Sequence, residues 1–193
     1  MDWTGWPITA GVAAVLVLMG VGPQLVDWST PGGKTPLRPG SVVKLDTVSG
    51  RHERAFYVTV PAGWSVDIAR SDPPTDVTLT SGPTRFSASG VNTAAVNLRH
   101  ATTPQQLWDG LGRLQVLRDG PRPSTGPVPV TNAQGVAGLS GGLADRHRIG
   151  IATVFALQGG GVNVIATGPP ADFRNKTDQV HAMMRDIRFA GGT

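Results

Sequence analysis

Apolar residues are spread unevenly along this chain. No charge occurs between Asp2 and Asp27, and this stretch holds the run Ala10-Gly-Val-Ala-Ala-Val-Leu-Val-Leu-Met-Gly-Val-Gly22. Beyond it the apolar positions fall into short periodic patterns. Ala55–Val60 alternates, with Phe56, Val58 and Val60 on one face. Pro61-Ala-Gly63 reads as a turn, after which Trp64–Ala69 alternates through Trp64, Val66 and Ile68. Val77–Thr80 and Thr84–Ala88 flank Ser81-Gly-Pro83, the signature of a hairpin. Ala94–Leu98 reads as a further short strand.

The period then changes. Thr103 suits a helix N-cap and Pro104 the first helical position, and Leu107, Leu111, Leu114 and Leu117 make an apolar stripe that ends at Asp119-Gly120. A Pro-rich loop, Pro121–Pro127, follows. Val136–Leu143 runs through Asp145-Arg146 into Arg148–Gln158, where Ile149, Ile151, Phe155 and Leu157 point one way and Ala152, Val154 and Ala156 the other. A strand that is apolar on both faces must be covered on both sides. Gly159-Gly160-Gly161 reads as a turn and Val162–Ala166 as the returning strand. A last helix begins near Pro170, with Val180, Met183, Met184 and Ile187 spaced i, i+3, i+4, i+7. Strands joined by tight turns, plus two helices and one two-faced strand, predict an α+β fold: an antiparallel sheet with helices on both faces.

The N-terminal stretch has different physics. Trp6 to Trp28 is 23 residues, roughly 34 Å as a helix, enough for a hydrocarbon core of about 30 Å. Trp3 and Trp6 at one end and Trp28 at the other suit the two interfaces. Thr4 and Pro7 suit the start of the helix, and Pro23 limits its far end. A secretory signal peptide is the rival reading. It normally carries a basic n-region and a small-x-small cleavage site, and neither is evident here. The expected organisation is a single-pass anchor over residues 1–28 in contact with membrane lipid through residues 6–28. A Pro/Gly-rich linker over 29–50 and a domain over 51–193 follow. Lys34, Arg38 and Lys44 follow the apolar stretch and nothing basic precedes it, so the positive-inside rule expects the domain in the cytoplasm.

Composition excludes several chemistries. The chain has no cysteine, so disulfides, thiolate nucleophiles, zinc–sulfur sites and a lipidated cysteine are all ruled out. Net charge is +4, but the bases are scattered, as at Arg51, Arg70, Arg85, Arg99 and Arg118, without a basic run, and no nucleic-acid partner is expected. Gly-Gly-Lys-Thr at 32–35 imitates the tail of a phosphate-binding loop, but Trp28 stands where the first glycine is required.

Four features together carry a likeness. They are Phe56-Tyr-Val-Thr-Val-Pro-Ala-Gly-Trp64, the helix at Thr103–Arg118, the long strand at Arg146–Gln158, and the ending Pro170-Ala-Asp-Phe173 … Met184-Arg-Asp-Ile-Arg-Phe189. Over about residues 53–190 this pattern resembles the PsbP-like superfamily, an α/β/α sandwich around an antiparallel sheet. The resemblance implies a non-enzymatic accessory or scaffold role. It also implies a domain facing outward from the membrane, with a protein partner in the bacterial envelope; this opposes the expectation from charge. The Gly, Arg and Ala bias is similar to that of actinobacterial envelope proteins, some of them associated with type VII secretion.

Three chemical readings are weighed against this one. Gly138-Leu-Ser140-Gly-Gly142 fits the Gly-x-Ser-x-Gly pattern of serine hydrolases, with Asp145, Asp172, Asp178, His147 and His181 downstream. That motif needs a strand, a sharp turn and a helix, whereas a second strand is predicted to follow it. His52, His100, His147 and His181 show no metal-ligand spacing, and His52 with Arg51 and Arg54 reads as a basic loop. Tyr57, Trp64, Trp108, Met183 and Met184 offer a lining for a lipid or small ligand, or else ordinary core. No catalytic residue, metal ligand or cofactor site is assigned from the sequence.

Overall fold

The computed structural model describes residues 33–47, 54–92, 103–117, 120–157 and 160–190. The expected anchor over 1–28, the strand at Ala94–Leu98, and His52 and His100 lie outside these residues. No helix among the described residues is long and apolar enough to cross a membrane.

The strands are β1 (Lys34–Pro36), β2 (Ser41–Thr47), β3 (Arg54–Val60), β4 (Ser65–Asp67), β5 (Asp76–Ser81), β6 (Thr84–Asn92), β7 (Arg122–Pro123), β8 (Val128–Thr131), β9 (Ala137–Ala144), β10 (Ile149–Leu157), β11 (Gly160–Gly168) and β12 (Arg188–Phe189). The helices are α1 (Pro104–Leu117) and α2 (Pro170–Arg185), and a 3-10 turn spans Ile68–Arg70. Among the described residues the strands form two sheets. The larger has the order β1-β4-β5-β6-β11-β10-β9-β7, with β8 also on β9, and the smaller has the order β12-β3-β2. Among the described residues every pairing between these strands is antiparallel, as the tight turns predict.

The two-faced strand lies where its pattern demands, between β9 and β11 in the larger sheet. Phe155 and Leu157 join a core with Val162, Val164, Phe86 and the α2 residues Phe173, Val180, Met183 and Met184. Ala152 and Val154 join a second cluster with Leu107, Trp108 and Leu111 of α1. Each helix therefore covers one face. The hairpin signal is also realised: Ser81 pairs with Thr84 across Gly82-Pro83, and Gly82 has φ +59°, a conformation that costs glycine little. The start of α1 is a capping box. Thr103 Oγ1 accepts from the Gln106 N–H at 3.2 Å, and Gln106 Oε1 accepts from the Thr103 N–H at 3.0 Å.

Four expectations need correction. First, the 29–50 segment is not a free linker where it is described. Thr35 pairs with Val66, and Ser41–Thr47 pairs along Arg54–Val60. Second, Pro61-Ala-Gly63 does not join neighbouring strands of one sheet. β3 belongs to the small sheet and β4 to the large one, and the chain bends between them. The bend is held by backbone bonds from Leu37 N–H to Trp64 O and from Gly40 N–H to Val60 O. Third, Gly160 and Gly161 are strand residues. A Cβ on Gly161 would lie 2.4 Å from Leu107 Cδ1, so this glycine admits the helix above it. Fourth, of the α1 stripe only Leu107 and Leu111 are buried, joined by Trp108, while Leu114 is 46% and Leu117 81% exposed. The helix is longer than the floor it packs on.

The small sheet completes the α2 face. Phe56, Val58 and Val60 are fully buried there, as their alternation predicts. Where β2 crosses β6, a Cβ on Gly90 would meet Asp46 O at 2.6 Å, and glycine permits the crossing. The C-terminal strand is fastened by two side chains. Asn132 donates from Nδ2 to Ile187 O at 2.9 Å, and Gln134 Oε1 accepts from the Phe189 N–H at 2.6 Å.

The split in α1 predicts a contrast. Leu111→Ala removes a buried side chain and lowers stability by about 2–5 kcal/mol. Leu117→Ala leaves it within about 0.5 kcal/mol. Urea denaturation of the two variants measures both.

Candidate functional site

Ser140 lies in the middle of β9, opposite Thr153 of β10 on one side and Val128 of β8 on the other. Its hydroxyl is 3.1 Å from Ala152 O and 2.9 Å from Thr153 Oγ1. Thr153 Oγ1 in turn lies 3.3 Å from Met184 Sδ. A nucleophile elbow presents its serine on a sharp turn into a helix. Here the serine sits within a continuous ladder, and its hydroxyl is engaged by β10 rather than by an imidazole, which overturns the elbow reading. The neighbouring glycines have steric reasons. A Cβ on Gly138 would meet Val154 O at 2.4 Å, and one on Gly141 would meet the Trp108 ring at 2.7 Å.

The proposed partners of Ser140 do not gather around it. Asp145 and His147 occupy the turn between β9 and β10, and His147 is exposed. Asp172, Asp178 and His181 are exposed on α2. Asp145 instead builds its own turn: Oδ1 accepts from the N–H groups of His147 and Arg148, both at 2.7 Å, and Oδ2 accepts from Arg148 Nε at 3.0 Å. The bond from His147, followed by those from Arg148, holds the Asp145 carboxyl below its usual range. Among the described residues no group of three or more His, Asp or Glu could hold a metal ion.

The candidate ligand lining is also divided. Trp64 is 1% exposed, meets Phe86 edge-on at 6.4 Å and donates from Nε1 to Gln179 Oε1 at 2.9 Å. It shares the α2-side core with Met183 and Met184, whereas Trp108 packs in the α1-side cluster. Tyr57 alternates out of step with the buried Phe56 and Val58. These five side chains do not line one pocket.

The folded sheet does collect three of the bases that look scattered in sequence. Register aligns Arg85 of β6 with Thr80 of β5 and Thr167 of β11, Thr167 with Gly150 of β10, and Gly150 with Leu143 of β9. Phe86 and Ala88 face the α2-side core, so Arg85 faces the α1 side. Arg148 precedes Gly150 by two positions at that end of the sheet, roughly 12 Å from Arg85 between backbones, two strand spacings across and two residues along. Arg70 is brought to the same face by the 3-10 turn, where its carbonyl accepts from Thr78 Oγ1 at 3.0 Å and Thr78 Oγ1 lies 3.0 Å from Ser87 Oγ. Arg70 pairs with the buried Asp67 at 2.7 Å, and Arg148 with Asp145 at 3.0 Å. The Arg85 Nε is buried and makes no hydrogen bond. Desolvation, then the like charge of Arg70, draws the Arg85 pKa below its ordinary value; Asp67 opposes the shift and Arg148 adds to it. Sequence spacing does not reveal this cluster, because its members come from three separated segments. The one local signal is that Arg85 is out of phase with Phe86 and Ala88.

No protein-family model matches the chain, and no curated protein matches its sequence. Among solved structures it is similar to the cyanobacterial PsbP protein CyanoP of Synechocystis sp. PCC 6803. The TM-score is 0.50 and the identity 13%, over 83% of this chain and 98% of that one. The fold is PsbP-like, as the four sequence features imply.

Two consequences are measurable. Ser140→Ala removes a part-buried hydroxyl and lowers stability by about 1 kcal/mol, while leaving any ester or peptide hydrolysis by the purified chain unchanged; chromogenic ester assays check the second half. The bonds of Asp145 stabilise its turn above about pH 4, where the unfolded carboxyl is already ionised. Their contribution fades as the pH falls below that value and the folded carboxyl protonates. The difference in urea midpoint between wild type and Asp145→Ala therefore shrinks from pH 7 to pH 3.

Proposed function

We propose that this chain is a membrane-tethered, non-enzymatic domain that binds or scaffolds a protein partner at a bacterial cell envelope. The observation that carries this reading is a PsbP-like sandwich following a 23-residue stretch, Trp6 to Trp28, whose length would suffice for a bilayer-crossing helix and which holds a single charge, Asp27, at its far end. The fold sets α2 and the small sheet over one buried core and α1 over another, and the residues offered for hydrolysis are occupied in turns and ladders or exposed on α2. Such a domain acts through its surface.

The outward orientation is part of the proposal. Lys34, Arg38 and Lys44 argue for the cytoplasm only if they form a short free segment beside the membrane. Lys34 lies in β1 and Lys44 in β2, both paired within the folded unit. Charges that belong to a folded domain weigh less in setting orientation than charges in a short loop. A link to a secretion assembly is the finer form of the proposal and rests on compositional likeness alone.

The absence of native cysteine makes a sidedness experiment clean. Ser124 is exposed between β7 and β8. A Ser124→Cys variant in intact cells is expected to react with a membrane-impermeant maleimide. Reaction only after lysis would place the domain in the cytoplasm and overturn the envelope proposal.

A further inference from the structure

We propose that Arg85, Arg70 and Arg148 form a binding site for a phosphate group on the α1 side of the larger sheet, beyond the part that α1 covers. Three features of the fold point there. The Arg85 guanidinium is partly sunk into the sheet surface, its Nε buried without an acceptor. A buried donor left unpaired is costly, and an incoming oxyanion would supply the missing acceptor. Its two neighbours are held in place by their own carboxylates, Arg70 by Asp67 and Arg148 by Asp145, so the cluster is pre-organised. With three guanidiniums and two carboxylates, it keeps one positive charge in excess.

The floor of the site is small and polar. Thr167 and Gly150 lie between Arg85 and Arg148, and Thr80 lies on the other side of Arg85. Gly150 leaves no side chain standing between the two bases, and a Cβ there would lie 2.2 Å from Ala166 O. A carboxylate is satisfied by one fork, whereas a phosphate presents three acceptor oxygens and takes donors from several directions. Three neighbouring guanidiniums, one of them with an unpaired buried donor, therefore suit a phosphate. The surrounding positions are Thr80, Ser87 and Thr167, without an exposed apolar lining for a bulky organic group. The phosphate is either free in solution or the head of an anionic phospholipid. The site stands independently of the scaffold proposal.

The test uses the full chain in maltoside micelles, which contain no phosphate, with ionic strength held by chloride. The probe is the Arg85 Nε–H resonance in a nitrogen–proton correlation spectrum. Inorganic phosphate is expected to shift it saturably, with a Kd of about millimolar order. Arg85→Gln, followed through the Thr167 amide, is expected to weaken binding about tenfold or more, and Arg148→Gln several-fold. Arg113→Gln, which removes the same charge from an exposed position on α1, is expected to leave the Kd unchanged. An undisturbed Trp64 Nε1 resonance shows that each variant is folded, and Arg148→Gln lies in an exposed turn should Arg85→Gln fail that check. A parallel arm places the chain in phosphatidylglycerol or phosphatidylcholine nanodiscs. A response to the anionic discs but not to inorganic phosphate assigns the site to a lipid headgroup; saturation by inorganic phosphate assigns it to a free phosphate group. No saturable response in either arm, or a response equally reduced by Arg113→Gln, overturns the proposal.

Discussion

The burial of β10 on both faces is the constraint from which the rest of the structure follows. A strand carrying Phe155 and Leu157 on one side and Ala152 and Val154 on the other cannot leave either side to water. One helix covers each face, and the strand takes a position inside the larger sheet rather than at its edge. Its neighbours adapt to this. Gly138, Gly141, Gly150 and Gly161 each stand where a Cβ would collide with a strand backbone or with an α1 side chain. The high glycine content near this strand thus serves close packing at least as much as turning.

The two faces are finished differently. The α2 face is closed fully, because the small sheet brings Leu45, Phe56, Val58, Val60 and Phe189 to the same core. The α1 face is closed over β9, β10, part of β11 and the Val91 end of β6, where Leu107, Trp108 and Leu111 lie. Toward β5 and β6 the same face turns polar, with Thr78, Thr80, Arg85 and Ser87 in the alternate positions. The domain therefore keeps a sealed core on the α2 side while one half of the other sheet face is polar. The three guanidiniums gather on that half.

The residues weighed for hydrolysis show how a motif loses its meaning in a fold. Gly-x-Ser-x-Gly at 138–142 has a mechanical role only at a strand-to-helix turn. Inside a ladder, the same glycines make room for Trp108 and Phe155, and the serine bonds across to β10. Asp145 is likewise a turn residue that caps the hairpin it sits in.

Much of this architecture was legible in the sequence, because period and caps are local. Alternation at Phe56, Val58 and Val60, the Gly82-Pro83 turn, the Thr103 cap, the two-faced strand and the Val180, Met183, Met184 stripe all depend on residues within a few positions of one another. So did the likeness to a PsbP-like sandwich, which is a likeness of element order. Pairing partners and the reach of a packing surface are not local, and only the tertiary structure decided them. Nothing near Ser41–Thr47 announces that it will pair with β3, or that the bend at Pro61–Gly63 carries the chain from one sheet to another. Leu117 has the spacing of a core residue but lies past the end of the floor under α1. Asn132 and Gln134 hold a strand 55 residues away, and Arg70, Arg85 and Arg148 meet only through sheet register. Sequence sets which face of each element is apolar; the free energy of burying those faces together sets which elements meet.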